Sequence, residues 1–417
     1  MTELLKLVEE NLSPKISKNY SDEEFINLMR EVIQDTIEKN SYYKELVNEK
    51  EFKLDDFNNI NDLENIPYIP SPFFKESAKF YKELLKIPVS SPKFRWWNVS
   101  SCTTGDPSIV GVSKDDSEIL AQLAKKVLFE FIPPRDWDKT FSLIFSPNIK
   151  FLNRIAMRYT KIRPVRLYSS NLSEISIKLT KVKFLIKFFF LKAIKAIIVK
   201  RNIAGVFGIN SKFVIKTIEN NLKKTEDEQE YISLGGSVNL VDNFIKKLNE
   251  LNIKYDLGDK VDISTGGGGW DGRKSTLKYP PINKTEFVNR ICETLGTYPS
   301  RVVDFYGFTE TPAIFGSHWS DKYNDFIMHC PNYARIIVRD LKNLEPISKE
   351  GESGFLEVIT PFGVSGSVNH AVLIDDLVHL VSKNKCPECG YLGSTFIVLG
   401  RVKDKEGLGC SSIVEWL

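Results

Sequence analysis

The sequence predicts an α/β fold, and three observations lead to it. Beyond about residue 94, short apolar runs alternate with amphipathic helical stretches, the pattern of a sheet flanked by helices. With 417 residues, the chain can build a large α/β domain with appendages and a sizeable buried core. Apolar residues make up 42% and charged residues 27%, with a net charge of +3, a balance that argues against a disordered, fibrous or polyanion-seeking protein.

Taken in order, the chain opens on "MTELLKLVEENL", which lacks a basic stretch followed by an apolar one; no secretory signal is read there and a cytoplasmic location is expected. Phe25, Leu28, Met29, Val32 and Ile33 line one face of a helix. "IPYIPSPFFKES" then forces extended backbone through its Ile-Pro and Ser-Pro steps. Residues 1–90 are therefore expected to be a helical lead-in packed on a core spanning 91–400, with a short tail at 401–417. Within the core, "TFSLIFS", "GVFGI", "RVVDFYGF", "ARIIVRD" and "GFLEVIT" read as strands. "LVDNFIKKLNELN" and "NKTEFVNRICETLG" read as helices. No repeat at a fixed period is present.

One segment stands apart in composition: residues 178–201 carry seven lysines, one arginine and no acid among apolar residues. Its longest apolar run is four residues, far short of the roughly 20 that a spanning helix needs. It reads as a helix with Phe184, Phe188 and Leu191 toward the core and lysine stems reaching outward. The alternative is a peripheral contact with a bilayer surface, at the inner membrane, or with an acidic partner.

Three loops carry the chemistry. "VSSCTTGDPS" packs five hydroxyls and a Gly-x-Pro turn into one stretch, where small residues let backbone N–H groups approach an anion; an ordinary turn is the alternative. "ISTGGGGWDGRKS" invites a phosphate-loop reading, but Arg273 between Gly272 and Lys274 breaks the Gly-Lys-Ser spacing. Its four consecutive glycines still suit backbone lying against a ligand, a flexible surface turn being the alternative. "VVDFYGFTETPAIF" places Tyr306, Gly307, Thr309 and Glu310 at the end of a strand, the position where open α/β sheets bind ligands. There a tyrosine can stack on a base, a threonine can bond phosphate, and a glutamate can hold the Mg²⁺ that accompanies ATP; an ordinary strand-to-loop exit is the alternative.

In this order, "IPYIPSPFFK", "SSCTTGDPS", "GGGGWDGRK", "DFYGFTET", "LIDDLVHL" and "LGRVKDKEGLGC" resemble the adenylate-forming enzymes. The closer resemblance is to the acyl-protein synthetase family of bioluminescence operons and its phenylacetate-CoA-ligase-like relatives, over most of the chain. The resemblance implies a large domain of mixed sheets flanked by helices. It also implies that ATP and Mg²⁺ convert a fatty acid to an acyl adenylate, from which a thiol takes the acyl group. By the same resemblance Ser100, Ser101, Thr103, Thr104 and Gly105 would hold the triphosphate, and Gly266, Gly267 and Gly268 would border the adenine or acyl slot. Tyr306 would abut adenine, Thr309 phosphate and Glu310 Mg²⁺, with Gly307 also among the nucleotide-binding residues, while Asp376 would take the ribose hydroxyls and Arg401 the same nucleotide end. Asp375 is the alternative to Asp376.

The resemblance also bears on Cys410, which sits on a glycine-flanked stretch within the 16 residues that follow Arg401. Relatives of the ligase type continue there into a small domain that delivers coenzyme A. Cys410 is accordingly expected to accept the acyl group itself, a tethered thiol making the transfer intramolecular, with Arg401, Lys403 or Lys405 favouring its thiolate. An acyl reductase would then receive the thioester; delivery to coenzyme A, an acyl carrier protein or a surface-polysaccharide precursor is the alternative. No nucleic-acid partner is expected, given the near-neutral charge and the absence of a stacking pattern of aromatics in 178–201.

Two departures from the family pattern fall in the first loop, where Cys102 stands in place of the usual glycine and Asp106 in place of a lysine found in many relatives. "CPECG" has the spacing of half a tetrahedral zinc site. No second Cys-x-x-Cys or paired histidine completes it along the chain, so it reads as a structural turn. His318, His329, His370 and His379 are scattered and form no metal spacing.

Overall fold

The computed structural model describes residues 12–100, 106–132, 140–145, 165–167, 211–274 and 277–401. The 178–201 segment, "GVFGI", Ser101, Thr103, Thr104, Gly105 and Cys410 lie outside the described residues. The longer helices among the described residues are α1 (Asp22–Lys39), α2 (Ser41–Glu49), α3 (Lys114–Phe131), α4 (Ser211–Leu222), α5 (Val238–Glu250) and α6 (Lys284–Leu295). Strands run β1 (Ile69–Pro70), β2 (Phe94–Val99), β3 (Ile109–Ser113), β4 (Thr140–Phe145), β5 (Val165–Leu167), β6 (Tyr231–Gly236), β7 (Val261–Gly266) and β8 (Arg273–Lys274). They continue as β9 (Leu277–Lys278), β10 (Val302–Gly307), β11 (Ile314–Ser320), β12 (Asp325–His329), β13 (Arg335–Arg339), β14 (Ser353–Ile359), β15 (Ala371–Ser382) and β16 (Thr395–Arg401).

The helix starts have local causes. Ser21 accepts from the Glu24 amide while the Glu24 carboxylate accepts from the Ser21 amide, so α1 begins with a reciprocal cap. Phe25, Met29 and Ile33 are buried along its inner face as the periodicity predicts, and Ile26 joins them. Ser113 and Asp116 cap α3 the same way. Asp116 also accepts from the backbone amides of Ser365 and Gly366, at 2.9 and 2.7 Å, which locks this helix to the loop before β15. Helix α6 ends on Gly296 at φ +60°, where an added Cβ would meet the Asp256 backbone at 2.6 Å; glycine meets both demands.

Eleven of the described strands form one mixed sheet, in the order β13-β14-β15-β16-β12-β11-β10-β7-β6-β4 with β1 beside β15. From β4 through β6 and β7 to β10 the strands are parallel. From β10 onward each neighbour in that order is antiparallel. Strand β10 is therefore the joint between the parallel and the antiparallel half of the sheet, and the ends of parallel strands are where open α/β sheets bind ligands. Strands β3, β2 and β5 form a separate small sheet. The amino-terminal helices share one apolar cluster with the main sheet, through residues such as Phe25, Tyr43, Phe244, Phe287 and Phe315. No helix among the described residues is long and apolar enough to cross a membrane.

Candidate active site

The site is assembled from what leaves the end of β10. Tyr306, the penultimate residue of that strand, donates a short hydrogen bond from its hydroxyl to the Asp376 carboxylate in the middle of β15. Its ring lies edge-on to Phe308, with centroids 4.6 Å apart. The neighbouring Asp375 points to the other face, as alternation along a strand requires, and accepts from the Ser71 hydroxyl at 3.3 Å. Asp376 is thus the carboxylate that meets Tyr306, with Arg401 opposite it across the β15–β16 ladder.

Glu310 and Thr309 are nearly buried just beyond β10. Glu310 accepts a short hydrogen bond from the Ser108 hydroxyl, and the Lys75 ammonium lies 3.8 Å from the same carboxylate oxygen. Lys75 also donates to the Ser108 hydroxyl at 2.8 Å. The Ser108 amide in turn donates to the Ser100 hydroxyl at 2.9 Å, while the Ser100 amide donates to the Ser108 carbonyl. These bonds pinch together the two ends of the hydroxyl-rich loop and set Glu310 at its mouth.

Lys75 and Ser108 are the residues that sequence reasoning passed over. Both stood inside stretches singled out for other reasons, and only the fold reveals that "PSPFFKES" and "DPS" adjoin. Asp106, where relatives place a lysine, accepts from the Ser77 amide at 2.9 Å and from the Ser77 hydroxyl. The acid is therefore spent on anchoring the loop to the lead-in, and the cation near the loop comes from Lys75 two residues before Ser77.

The glycine-rich stretch leaves β7 beside β10, with Gly266 paired to Phe305. Gly267, Gly268 and Gly269 take φ values of +74°, +65° and +100°, a left-handed run that side chains with a Cβ would strain. The fold around them is held by Asp304, buried in β10. It accepts from the Thr265 hydroxyl at 2.6 Å and from the Trp270 indole N–H at 3.1 Å. Tyr279 closes the stretch by donating to the Gly269 carbonyl at 2.7 Å. The stretches that leave β7 and β10 thus lie side by side, and Ser108, at the end of the hydroxyl-rich loop, meets Glu310 just beyond β10 with the Lys75 ammonium beside both.

The histidines differ from the sequence expectation. His318 on β11 and His329 on β12 lie side by side, Nδ1 of one 2.8 Å from Nε2 of the other, and both adjoin Cys386 and Cys389. Pairing of β11 with β12 and of β12 with β16 brings together residues about 60 positions apart, which spacing along the chain does not reveal.

The mixed sheet, with its parallel half joined to its antiparallel half at β10, resembles the large domain of adenylate-forming enzymes. The chain resembles 2-hydroxyisobutyryl-CoA ligase in an open conformation in complex with 2-HIB-AMP and CoA, at 13% identity and a TM-score of 0.56, over 92% of this chain and 75% of that one. The same ligase in its thioesterification state matches at 14% identity and a TM-score of 0.55, over 92% and 68%. No curated protein matches. The family model described as acyl-protein synthetase, LuxE, matches residues 14–416, and the chain belongs to that family.

Proposed function

We propose that the protein activates a fatty acid with ATP as an acyl adenylate and then transfers the acyl group to its own Cys410, from which a partner acyl reductase receives it. The observation that carries this reading is the convergence at the end of β10: Tyr306 meets Asp376 while Glu310 meets Ser108 and Lys75. One cluster suits a nucleoside and the other a polyphosphate. In this reading Tyr306 and Gly307 abut adenine, with Gly266, Gly267 and Gly268 across the crevice; Asp376 accepts from the ribose hydroxyls and Arg401 clasps the same end. Ser100, Ser101, Thr103, Thr104, Gly105 and Thr309 donate to the phosphates. The likeness to a ligase described in complex with an acyl-AMP and CoA supports the same order of chemistry.

In the first step a carboxylate oxygen of the fatty acid attacks the α-phosphorus and the bond to pyrophosphate breaks. Attack by one anion on another is slow without donors aimed at the developing charge. Lys75 and the loop amides supply them. Glu310 fits Mg²⁺ because it is a nearly buried, hard oxygen donor at the mouth of the phosphate loop, and Mg²⁺ takes one or two carboxylates and fills its remaining positions with phosphate oxygens and water. When bound, the ion would neutralise charge on the phosphates. In the second step the Cys410 thiolate attacks the acyl carbonyl, the bond to AMP breaks, and the thiol proton passes to solvent. Tethering raises the thiol's effective concentration.

Incubation with ATP, Mg²⁺ and a radiolabelled fatty acid tests the reading. Label on the denatured chain that neutral hydroxylamine releases, and that Cys410→Ser loses, is expected. Pyrophosphate release without protein-bound label would move the acceptor to coenzyme A or a carrier thiol.

A further inference from the structure

A second cluster lies away from that crevice, where the loop between β15 and β16 folds against the β11–β12 hairpin. His318, His329, Cys386 and Cys389 each present a ligand atom there, all within 4.8 Å of one another. His318 Nδ1 and His329 Nε2 are 2.8 Å apart, and Cys389 Sγ is 3.6 Å from the same His329 nitrogen. Around a tetrahedral zinc ion, with bonds of about 2.0–2.3 Å, ligand atoms stand roughly 3.3–3.8 Å apart, so the Cys389–His329 spacing already matches and the two imidazole nitrogens part by about 0.5 Å to admit the ion. We propose that His318, His329, Cys386 and Cys389 form a tetrahedral site for one zinc ion that clasps the β15–β16 loop to the β11–β12 hairpin.

The surroundings suit such a site. Cys386 and Cys389 belong to a tight turn in which the Gly390 amide donates to the Cys386 carbonyl at 3.1 Å and the Cys386 amide to the Tyr391 carbonyl at 2.8 Å. Gly390, at φ +76°, makes that turn possible. The other nitrogen of His318 lies 3.3 Å from the Glu388 carboxylate, whose second oxygen accepts from the Ser320 hydroxyl at 2.6 Å. A carboxylate behind a histidine fixes its tautomer and raises its basicity, as metal ligands require. The His329 ring is stacked on Phe131, interplanar angle 9°, and against Tyr391, so it cannot swing away. Gly316 on β11 leaves room for this: a Cβ there would meet the Phe131 ring at 2.1 Å.

The chemistry narrows the ion. Two sulfur and two imidazole ligands in a tetrahedral array select zinc over the hard cations. Two thiolates balance its charge, leaving a neutral centre between the buried His329 and Cys386 and the more exposed His318 and Cys389. Four protein ligands leave no open position, so the role is structural. Strand β16 meets β12 through only the Met328–Phe396 and His329–Thr395 pairs, and a metal clasp reinforces that short seam. This inference stands on the cluster alone and is independent of the reaction proposed above.

The test is metal analysis of the full chain purified without chelator from zinc-supplemented cells. About one zinc ion per chain is expected, as a four-ligand site holds. The double variant Cys386→Ser with Cys389→Ser should lose nearly all of it, and the control Cys292→Ser should keep it. Glu388→Gln should lower zinc affinity by about tenfold in competition with a chelator. Should the double variant not fold, exchange of the wild-type metal for cobalt decides: tetrahedral d–d absorption with a thiolate-to-cobalt charge-transfer band is expected. A folded wild type that holds no zinc and shows no such band would overturn the proposal. So would a Cys386–Cys389 disulfide in protein purified from zinc-supplemented cells with reductant present throughout, which would make the pair a redox couple.

Discussion

The two ends of the β15–β16 hairpin carry opposite chemistry. At one end Asp376 lies across the ladder from Arg401 and faces Tyr306, in a setting of oxygen acceptors and hydroxyl donors. At the other, roughly 20 Å along the strands by their rise, Cys386 and Cys389 meet two imidazoles. The first end suits nucleotides and Mg²⁺, which prefer hard oxygen ligands. The second suits a soft, borderline metal. One hairpin can serve both because a strand ladder fixes its two ends rigidly while leaving their side chains independent.

The comparison can be broken most severely at the oxygen-rich end. Glu310→Ala should cut fatty-acid-dependent ATP–pyrophosphate exchange by about 10²-fold or more, the usual cost of removing an electrostatic group from a polar transition state, with folding checked by circular dichroism. Lys75→Ala should lose about 10-fold to 10²-fold in the same exchange assay, mainly through kcat. Asp376→Asn should raise KM for ATP about tenfold or more, as loss of a charged hydrogen-bond acceptor does. Asp375→Asn should do so by much less, and equal effects in the two variants would remove the distinction between the faces of β15.

At the sulfur end, Gly316→Ala should destabilise by about 1–3 kcal/mol in urea unfolding, because the new methyl displaces the Phe131 ring from His329. A smaller effect is expected at a third histidine, which belongs to neither end. His370 is buried beside the Tyr43 hydroxyl at 3.0 Å, and burial pushes its imidazole down to about 3. The unfolded chain takes up that proton near about 6.5, so stability is unaffected above that pH. Below it, stability should fall by up to about 1.4 kcal/mol per pH unit down to about pH 3. His370→Gln should flatten that part of a pH series of urea midpoints.

These contrasts also mark how far the sequence could be read. Strands β4, β10, β13 and β14 and helices α5 and α6 fall where apolar periodicity puts them, because one buried face imposes a period that survives in the letters. Tyr306 and Glu310 were legible because a strand end and its exit loop keep them contiguous. The partners that Lys75 and His329 find were not, since register between distant strands and the docking of the lead-in bring them together. The Cys-x-x-Cys turn has the spacing of half a zinc site but reads along the chain as a structural turn, because the two histidines that adjoin it stand on β11 and β12, 57 to 71 residues earlier.

The most direct measurement of the central claim is ATP–pyrophosphate exchange with fatty acids of graded chain length, in wild type, Cys410→Ser and Glu310→Ala. Exchange that depends on the fatty acid, persists in Cys410→Ser and collapses in Glu310→Ala is the predicted result, since activation precedes transfer and uses the β10 end. A folded wild type that exchanges no pyrophosphate with any of the acids, or a Glu310→Ala protein as active as wild type, would contradict the account.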